Sequence, residues 1–225
     1  MLPRISIVIP ALDEEAAIPL LLADLHPLGR DAELIVCDGG SVDQTVAIAG
    51  EGGARVLHAP RGRSSQLRAG ADAATAPVLL FLHADSRVPD AALRRIASLG
   101  PGDGWGFFRP VLVGQSGWLP LVSRCMGWRS RLSGIATGDQ GLFVSRSFYD
   151  AVGGFPEQPL MEDIELCARL RRIAWPRALP EALISSGRRW DRDGALRTIF
   201  LMWRLRLLYR LGADPRALHE AYYDA

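Results

Sequence analysis

The chain has 225 residues, which suits one domain of ordinary size and excludes two large ones. Hydrophobic residues make up 48% and charged residues 23%, so disordered and fibrous classes are also excluded. All 26 basic residues are Arg. Without a Lys there is no P-loop phosphate clamp, no Schiff base and no kinase-type strand lysine. The net charge of +1 argues against a general nucleic-acid binder.

The arginines are unevenly distributed along the chain. Residues 169–210 contain eleven Arg and three acids, whereas the remainder is acidic, so we expect an anionic group against that part. The three cysteines are far apart, lack metal-ligand spacing and predict buried free thiols of a reducing compartment. The N-terminal apolar run is short and soon reaches acids, which is unlike a secretion signal. No stretch reaches the roughly 20 apolar residues of a spanning helix. We therefore predict a cytoplasmic protein, with the inner membrane surface as the alternative location.

In the first half of the chain, short apolar runs alternate with helix-like segments. The runs at residues 5–9, 33–37, 55–57 and 78–82 predict strands that are buried on both faces. A capping box at Ser41 to Gln44 predicts one helix start, and Pro89-Asp90 predicts another helix that stops at Gly100. Strand alternating with helix predicts a parallel α/β sheet with right-handed crossovers.

The second half is less regular. It predicts strands at 104–113 and 141–145, and helices at 119–133, 161–173 and 196–211. No repeat or low-complexity linker appears, so we predict a single domain over residues 1–225. Its parts are expected to be a nucleotide-binding half (1–100), an acceptor and catalytic half (101–195) and C-terminal helices (196–225).

The long helix predicted at residues 196–211 contains arginines on two sides. At 100° per residue Arg197 and Arg204 fall together, whereas Arg206 and Arg210 fall on the other side. This pattern lacks a clean amphipathic face. We therefore expect a packed helix with snorkelling Arg stems, and peripheral contact with a membrane stays open as the alternative.

Three predicted strand ends carry carboxylates. Asp13 and Glu14 follow the first strand, Asp38 follows the second and Asp85 follows the fourth. Because ligands bind beyond the carboxyl ends of parallel strands, we expect these side chains at one edge, where a metal holding a diphosphate would offset their repulsion. Each residue taken alone could equally cap a helix or make a turn. No Gly-x-Gly follows the first strand, which argues against a dinucleotide site.

Several segments together resemble the family 2 nucleotide-sugar glycosyltransferases of the GT-A fold. They are SIVIPALDEE (6–15), VCDGGSVDQT (36–45), FLHAD (81–85), GDQGLFVSR (138–146), VGGFPE (152–157) and MEDIELCARLRR (161–172). The resemblance runs from Ile5 to about Trp190. It is closer still to a short single-domain branch often described as selenodomain-associated transferases. The resemblance implies a Rossmann-like, mostly parallel central sheet flanked by helices.

The resemblance also implies roles for particular residues. Asp163 would be the catalytic base, with Glu162 beside it, and Asp85 would hold Mg²⁺ or Mn²⁺. The implied nucleotide-binding residues are Pro10, Ala11, Glu14, Asp38, Arg61, Arg63 and Asp85. The candidates on the diphosphate and acceptor side are Asp139, Gln140, Arg189 and Trp190. The alternatives are a first-turn acid for Asp163, solvated loop arginines for Arg61 and Arg63, and a surface Arg beside a packing Trp for Arg189.

Two departures from the family pattern bear on the predicted chemistry. His83 stands where the metal motif has its first Asp, so one anionic contact is lost and a weak metal site is expected. At residues 186–190 the sequence SGRRW resembles the Gln-x-x-Arg-Trp motif of processive polysaccharide synthases, with Ser186 in the Gln place. Those processive enzymes also have transmembrane helices, and no such helix is predicted in this sequence. We therefore expect the transfer of a single sugar. We also expect Arg189 to bind the departing diphosphate and Trp190 to form a wall near the acceptor.

The prediction is an inverting, metal-assisted transfer of one sugar to a hydroxyl acceptor. The donor is expected to be a nucleotide diphosphate sugar with UDP as the favoured nucleotide, and a lipid-linked acceptor is one option. A sugar-phosphate nucleotidyltransferase is a rival, but the acidic, glycine-free PALDEE segment argues against it. The other alternative, motivated by His83, is a nucleotide-sugar-binding protein with weak or lost transferase activity.

Overall fold

A seven-stranded sheet forms the centre of the fold. A computed structural model describes residues 2–223, and its strands in chain order are β1 (Ile5–Ala11), β2 (Ala32–Asp38), β3 (Arg55–His58), β4 (Val78–Phe81), β5 (Trp105–Val113), β6 (Leu142–Ser145) and β7 (Arg177–Ser186). Their order across the sheet is β3-β2-β1-β4-β6-β5-β7. Only β6 pairs antiparallel with its neighbours, so the predicted mostly parallel α/β sheet is confirmed.

Helices cover the sheet and continue beyond it. They are α1 (Ile18–Leu25), α2 (Thr45–Glu51), α3 (Arg63–Ala73), α4 (Asp90–Ser98), α5 (Leu119–Ser133), α6 (Arg146–Ala151), α7 (Glu162–Leu170), α8 (Arg188–Asp193), α9 (Ala195–Arg210) and α10 (Pro215–Tyr223). Short 3₁₀ turns lie at His26–Asp31, Pro101–Asp103 and Gly138–Gln140. Among residues 2–223 no helix has both the length and the apolar composition that crossing a bilayer requires.

The predicted strands and most predicted helices are present, with three differences. The capping box at Ser41 to Gln44 is wrong, because the Ser41 hydroxyl accepts the Asp13 N–H and α2 begins only at Thr45. The helix predicted at 161–173 ends at Leu170. The sequence analysis also missed β7, whose exposed positions break the apolar run.

Two apolar layers hold the sheet between its helices. Along β1, Ile7 and Ile9 enter one layer and Val8 enters the other, and all three side chains are fully buried. Such a strand is apolar throughout because both of its faces are covered. The layers fix the strand ends, and these ends position the candidate site.

Gly70, on α3, allows this helix to lie close to the sheet. A Cβ at this position would lie 2.3 Å from Val8 Cγ1 and 2.7 Å from Cys37 Sγ, in β1 and β2. We expect Gly70→Ala to destabilise the fold by about 1–3 kcal/mol, because a well-packed core cannot accept the extra methyl group. Urea unfolding measures the effect. Gly50→Ala on α2, where a Cβ meets nothing within 4 Å, is the matched control and should not destabilise. Equal stability of the two variants would contradict this account.

Candidate active site

The turn after β2 is built around Asp38. Its carboxylate accepts the backbone N–H groups of Gly40 at 2.9 Å and Ser41 at 3.1 Å, and His58 Nδ1 lies 3.4 Å away. Burial alone would raise the pKa of Asp38, but these hydrogen bonds lower it below its usual value. Asp38 is 2% exposed, so its carboxylate holds the turn from within the fold.

The end of β1 is tied to the same turn. Asp13 adopts a left-handed backbone (φ 52°), which Asp tolerates better than most residues, and its carboxylate accepts the Val42 N–H at 2.9 Å. The buried Gln66 amide donates to the carbonyls of Ala11 at 2.8 Å and Cys37 at 2.7 Å. Gln66, which the sequence analysis missed, thus joins the ends of β1 and β2. Pro10 and Ala11 lie within β1, so the structure places both at this edge.

Glu14 and Asp85 come together around one guanidinium. Arg188 forms a two-pronged ion pair with Glu14, in which Nη1 donates to Oε2 at 3.0 Å, and its Nη2 lies 3.5 Å from Asp85 Oδ2. Burial raises the pKa of Asp85, while the charges of His83 and Arg188 oppose that rise. The two carboxylates are each 15% exposed and Arg188 is 60% exposed, so the positive charge can move while the acids stay in place.

His83 pairs with Asp139 at the next position along the sheet edge. His83 Nδ1 lies 3.5 Å from Asp139 Oδ1, which also accepts the Ser185 hydroxyl at 3.0 Å. His83 Nε2 is buried without a hydrogen-bond partner, and a Cβ at Gly138 would lie 2.0 Å from it. Gly138 is therefore needed to accommodate the His83 ring. This packing gives a physical reason for a histidine where the family motif has an acid.

The His83 and Asp139 pair has a consequence at low pH. Burial alone would raise the pKa of Asp139, but hydrogen bonding to His83, the charges of His83 and Arg63, and the Ser185 hydroxyl lower it to about 2. A carboxyl group with a lowered folded pKa stabilises the fold above its unfolded pKa of about 4, and this contribution is lost as the pH falls towards 2. We expect Asp139→Asn to lower the free energy of unfolding at pH 6 and to match the unmodified protein near pH 2. Urea unfolding across this range measures both, and a difference that does not change with pH would contradict the assignment.

Glu162 and Asp163 begin α7 after a strained residue. Met161 has a left-handed backbone (φ 66°), and its buried side chain packs with Leu205 and Leu218. Such a conformation costs roughly 1–2 kcal/mol in a residue with a Cβ, so the surrounding packing holds the turn in place. Asp163 Oδ2 accepts the Gly138 N–H at 3.1 Å and Oδ1 accepts the Ile164 N–H at 2.7 Å. Each oxygen keeps one lone pair for a substrate.

Glu162 is buried beside Arg63. The distance from Arg63 Nη1 to Glu162 Oε1 is 3.4 Å, and Glu162 is only 3% exposed. Burial raises the pKa of Glu162 in spite of the Arg63 charge. Partial desolvation would lower the pKa of Arg63, whose side chain is 43% exposed, but the charges of Glu162 and Asp163 raise it. Glu162 therefore holds Arg63, whereas Asp163 beside it is half-buried.

A cavity of ≈ 370 Å³, which includes space open to solvent, unites these side chains. Arg63, His83, Glu162 and Asp163 line it together with apolar residues of the sheet. The Glu14, Asp85 and Arg188 group does not line this cavity but is linked to it electrostatically through His83 and Asp139. The structure therefore brings five of the thirteen predicted site residues into two adjoining groups, Glu14 and Asp85 in one and Arg63, Glu162 and Asp163 in the other.

The remaining predicted residues lie elsewhere or act within the fold. Arg61 is exposed in the loop before α3. Gln140 is fully buried and accepts the Ser130 hydroxyl at 2.7 Å. Arg189 stacks over the Tyr222 ring at 3.6 Å and donates to the Tyr222 carbonyl, while Trp190 packs with Leu112, Leu119 and Val122. The structure places Arg188 rather than Arg189 at the carboxylates, a distinction that the motif spacing could not supply.

The donor set determines what kind of metal ion this edge could accept. Within residues 2–223 no three His, Cys, Asp or Glu side chains are grouped closely enough to hold an ion by themselves. Asp85 offers one carboxylate, and the orphaned, buried His83 Nε2 lies nearby in the same strand-end segment. These residues fit a hard cation that is bound mainly through substrate phosphates, and do not fit a resident ion held by protein alone.

Comparisons with known proteins agree with this geometry. The family model described as "Glycosyl transferase family 2" matches residues 6–99, which contain β1 to β4 and the carboxylates at their ends. Residues 6–99 are less than half of the 225 residues, so the similarity to this family covers the first part of the chain. An uncharacterized glycosyltransferase of Mycobacterium tuberculosis (strain ATCC 25618 / H37Rv) is 35% identical over 132 residues, or 56% of this chain. The matched part spans 59% of the length of that relative.

Solved structures share the fold of this chain. S. aureus TarS 1-349 in complex with UDP superposes with a TM-score of 0.68 at 18% identity, covering 81% of this chain and 60% of that one. Glucosyl-3-phosphoglycerate synthase from Mycobacterium tuberculosis, in complex with Mn²⁺, UDP and glucosyl-3-phosphoglycerate, has a TM-score of 0.62 at 23% identity, with 94% and 81% covered. The GT-A fold that the family resemblance implied is confirmed.

Proposed function

We propose that this chain transfers one sugar from a nucleotide diphosphate sugar to a hydroxyl acceptor, with inversion at the sugar. The observation that carries the proposal is that the strand-end carboxylates paired with Arg188 adjoin the cavity that Asp163 lines. UDP is the favoured nucleotide, because UDP is bound in two of the solved structures with the same fold.

The donor would lie across the ends of β1, β2 and β4. The turn held by Asp38 receives the nucleoside, with Pro10, Ala11 and Arg61 at its border. The diphosphate lies where Arg188 bridges Glu14 and Asp85. Arg188 then leaves these carboxylates and binds the diphosphate, because the paired N–H groups of a guanidinium bind phosphate oxygens as they bind carboxylate oxygens. Asp85 would hold Mg²⁺ or Mn²⁺ through the phosphates, and such an ion would neutralise charge on the leaving diphosphate.

Asp163 supplies the base. As the acceptor hydroxyl attacks the anomeric carbon, its proton moves to a carboxylate oxygen of Asp163, and the bond to the diphosphate breaks on the opposite face. The Gly138 N–H and the first turn of α7 hold that carboxylate in place. Glu162 and Arg63 form the adjoining wall. Asp139 acts indirectly by holding His83, and Gln140 acts by holding the Gly138–Gln140 turn.

The second candidate is a nucleotide-sugar-binding protein with weak or lost transferase activity. The observation that favours it is the ion pair between Arg188 and Asp85, because a cation already occupies the carboxylate that a metal would need. The two proposals differ in turnover, since both require donor binding.

One experiment separates them. The full chain is screened by thermal shift against UDP and GDP sugars with and without Mn²⁺, since a ligand that binds only the folded state raises the apparent stability. The sugar that gives the largest shift is then supplied in radiolabelled form, and release of free sugar or of glycosylated product is measured over time. Metal-dependent turnover supports the transferase. A shift without turnover supports the binding protein, and no shift with any donor would contradict both.

A further inference from the structure

Two helices away from the catalytic cavity expose apolar stripes to solvent. The stripe of α5 and its preceding residue is Trp118, Leu121, Cys125, Trp128 and Leu132. The stripe of α9 and its following residue is Leu196, Phe200, Trp203, Leu207 and Leu211. Spacings of three or four residues place each set on one helical face. Trp203 is 75% exposed and Phe200 is 74% exposed, so the residues do not merely edge the core.

Both helices already bury a different apolar face. Leu119 and Val122 of α5 pack in a cluster that includes Ile199 of α9. Leu205 of α9 packs with Met161 and Leu218. Because α9 is apolar on two sides, its apolar residues show little helical periodicity along the sequence. For this reason the sequence analysis found no clean amphipathic face. The helix is packed, as predicted, but it also has a second apolar face that packing does not require.

The two stripes form one surface. Ile199 lies with the Leu119 and Val122 cluster, and further along both helices Arg206 and Arg210 share a cavity with Arg129. Later residues of α5 therefore lie beside later residues of α9, so the two helices run parallel. Leu121 precedes Val122 by one residue and Phe200 follows Ile199 by one. At 100° per residue these opposite steps turn both stripes towards the same side of the helix pair.

This surface is strongly basic. The helices α5 and α9 contain three and four arginines respectively and no acidic residue. By helical position, Arg124 and Arg131 border the α5 stripe on its outer side, and Arg197 and Arg204 border the α9 stripe on its outer side. The apolar area therefore lies between rows of positive charge.

The cavity between the two helices is also cationic. Arg129, Arg206 and Arg210 line it with Ser133, Tyr209 and two isoleucines, and no carboxylate is among its lining residues. Arg129 Nε is buried without a hydrogen-bond partner. Burial first, and then the charge of Arg206, lowers the pKa of Arg129 to about 10. An anion with several oxygens would satisfy these groups.

We propose that the α5 and α9 surface docks the protein onto an anionic lipid bilayer, with a lipid headgroup phosphate in the arginine cavity. The Trp side chains enter the interfacial region, where their amphipathic rings are enriched, and Phe200 inserts its apolar ring beside them. The bordering arginines contact anionic headgroups. A second copy of the chain fits this surface less well, because it would bring seven arginines against seven.

Vesicle flotation of the full chain tests the surface. We expect binding to vesicles of phosphatidylcholine with phosphatidylglycerol, little binding to phosphatidylcholine alone, and weaker binding at high salt. Phe200→Ser combined with Trp203→Ser should lower the partition coefficient by at least about tenfold, because two apolar side chains no longer enter the bilayer. Leu20→Ser, at a half-exposed position of α1, is the matched control. Equal binding of the double variant, or binding that ignores phosphatidylglycerol, would overturn the proposal.

The arginine cavity is tested separately. Arg129→Gln with Arg206→Gln should weaken binding to the anionic vesicles by on the order of fivefold for each charge removed, and Arg94→Gln on α4 should not. Thermal unfolding of the same variants checks that they fold. We expect no loss of stability, because Arg129 and Arg206 carry like charges that repel each other. Light scattering tests whether a second copy of the chain occupies this surface instead. A dimer that the Phe200 and Trp203 substitutions abolish would assign the surface to self-association and refute lipid docking.

Discussion

Asp163→Asn is expected to lower the rate of sugar transfer by on the order of 10²–10⁴-fold, because the acceptor hydroxyl loses the group that takes its proton. Donor binding should be unchanged, since Asp163 lies apart from the Glu14, Asp85 and Arg188 group. The amide keeps the size of the side chain and can still accept the Gly138 N–H. Steady-state kinetics at saturating donor, together with a donor binding curve, give the two quantities.

A second carboxylate on the same helix supplies the control. Glu165 lies two residues further along α7, where it pairs with Arg169 at 2.8 Å and accepts the Tyr209 hydroxyl at 3.1 Å. Glu165→Gln removes the same charge from the same helix, and should leave the rate within about twofold because Glu165 does not line the cavity that Asp163 lines. If the two variants lost activity equally, the loss would reflect the charge of α7 rather than proton transfer. If Asp163→Asn retained full activity, another base would have to be found.

The fold was largely predictable because buried parallel strands have a simple signature. β1, β2 and β4 are short apolar runs in the interior of the sheet, so pattern and structure agree there. The expectation that the run at 55–57 is buried on both faces is wrong, because β3 is an edge strand and none of its residues is buried. β7 was missed because it alternates exposed and buried positions and contains Pro180. The exposed face of α9 was missed because a helix that is apolar on both sides shows little periodicity, and only packing decides which side is covered.

The site was predictable to the level of segments and not of contacts. Strand ends in a parallel sheet must share an edge, so the meeting of Glu14 with Asp85 follows from topology. The pairing of His83 with Asp139 joins residues far apart in sequence, and depends on Gly138 leaving room for the ring. No spacing rule contains that information. The choice between Arg188 and Arg189 likewise depends on how α8 is rotated, which the C-terminal helices determine.

Arg188→Gln is expected to lower kcat/KM for the donor by about tenfold to a hundredfold. A hydrogen bond to a charged group contributes about 1.5–3 kcal/mol, and Arg188 is the cation that the structure places at the Glu14 and Asp85 carboxylates. The loss should appear mainly in the KM for the donor if Arg188 binds the diphosphate in the ground state. It should appear mainly in kcat if the contact strengthens as the diphosphate leaves.

Arg189 makes this prediction decisive, because the family resemblance and the structure favour different residues. Its guanidinium stacks on Tyr222 and lies 3.5 Å from Asp193, so Arg189→Gln should lower stability more than it lowers donor affinity. Arg192→Gln, on the same short helix and 74% exposed, controls for loss of positive charge alone. A loss of donor affinity in the Arg189 variant with none in the Arg188 variant would mean that α8 rotates when the donor binds. A loss of donor affinity in the Arg188 variant with none in the Arg189 variant would mean that Arg188 binds the diphosphate. It would then exchange its ion pairs with Glu14 and Asp85 for contacts with the phosphate oxygens.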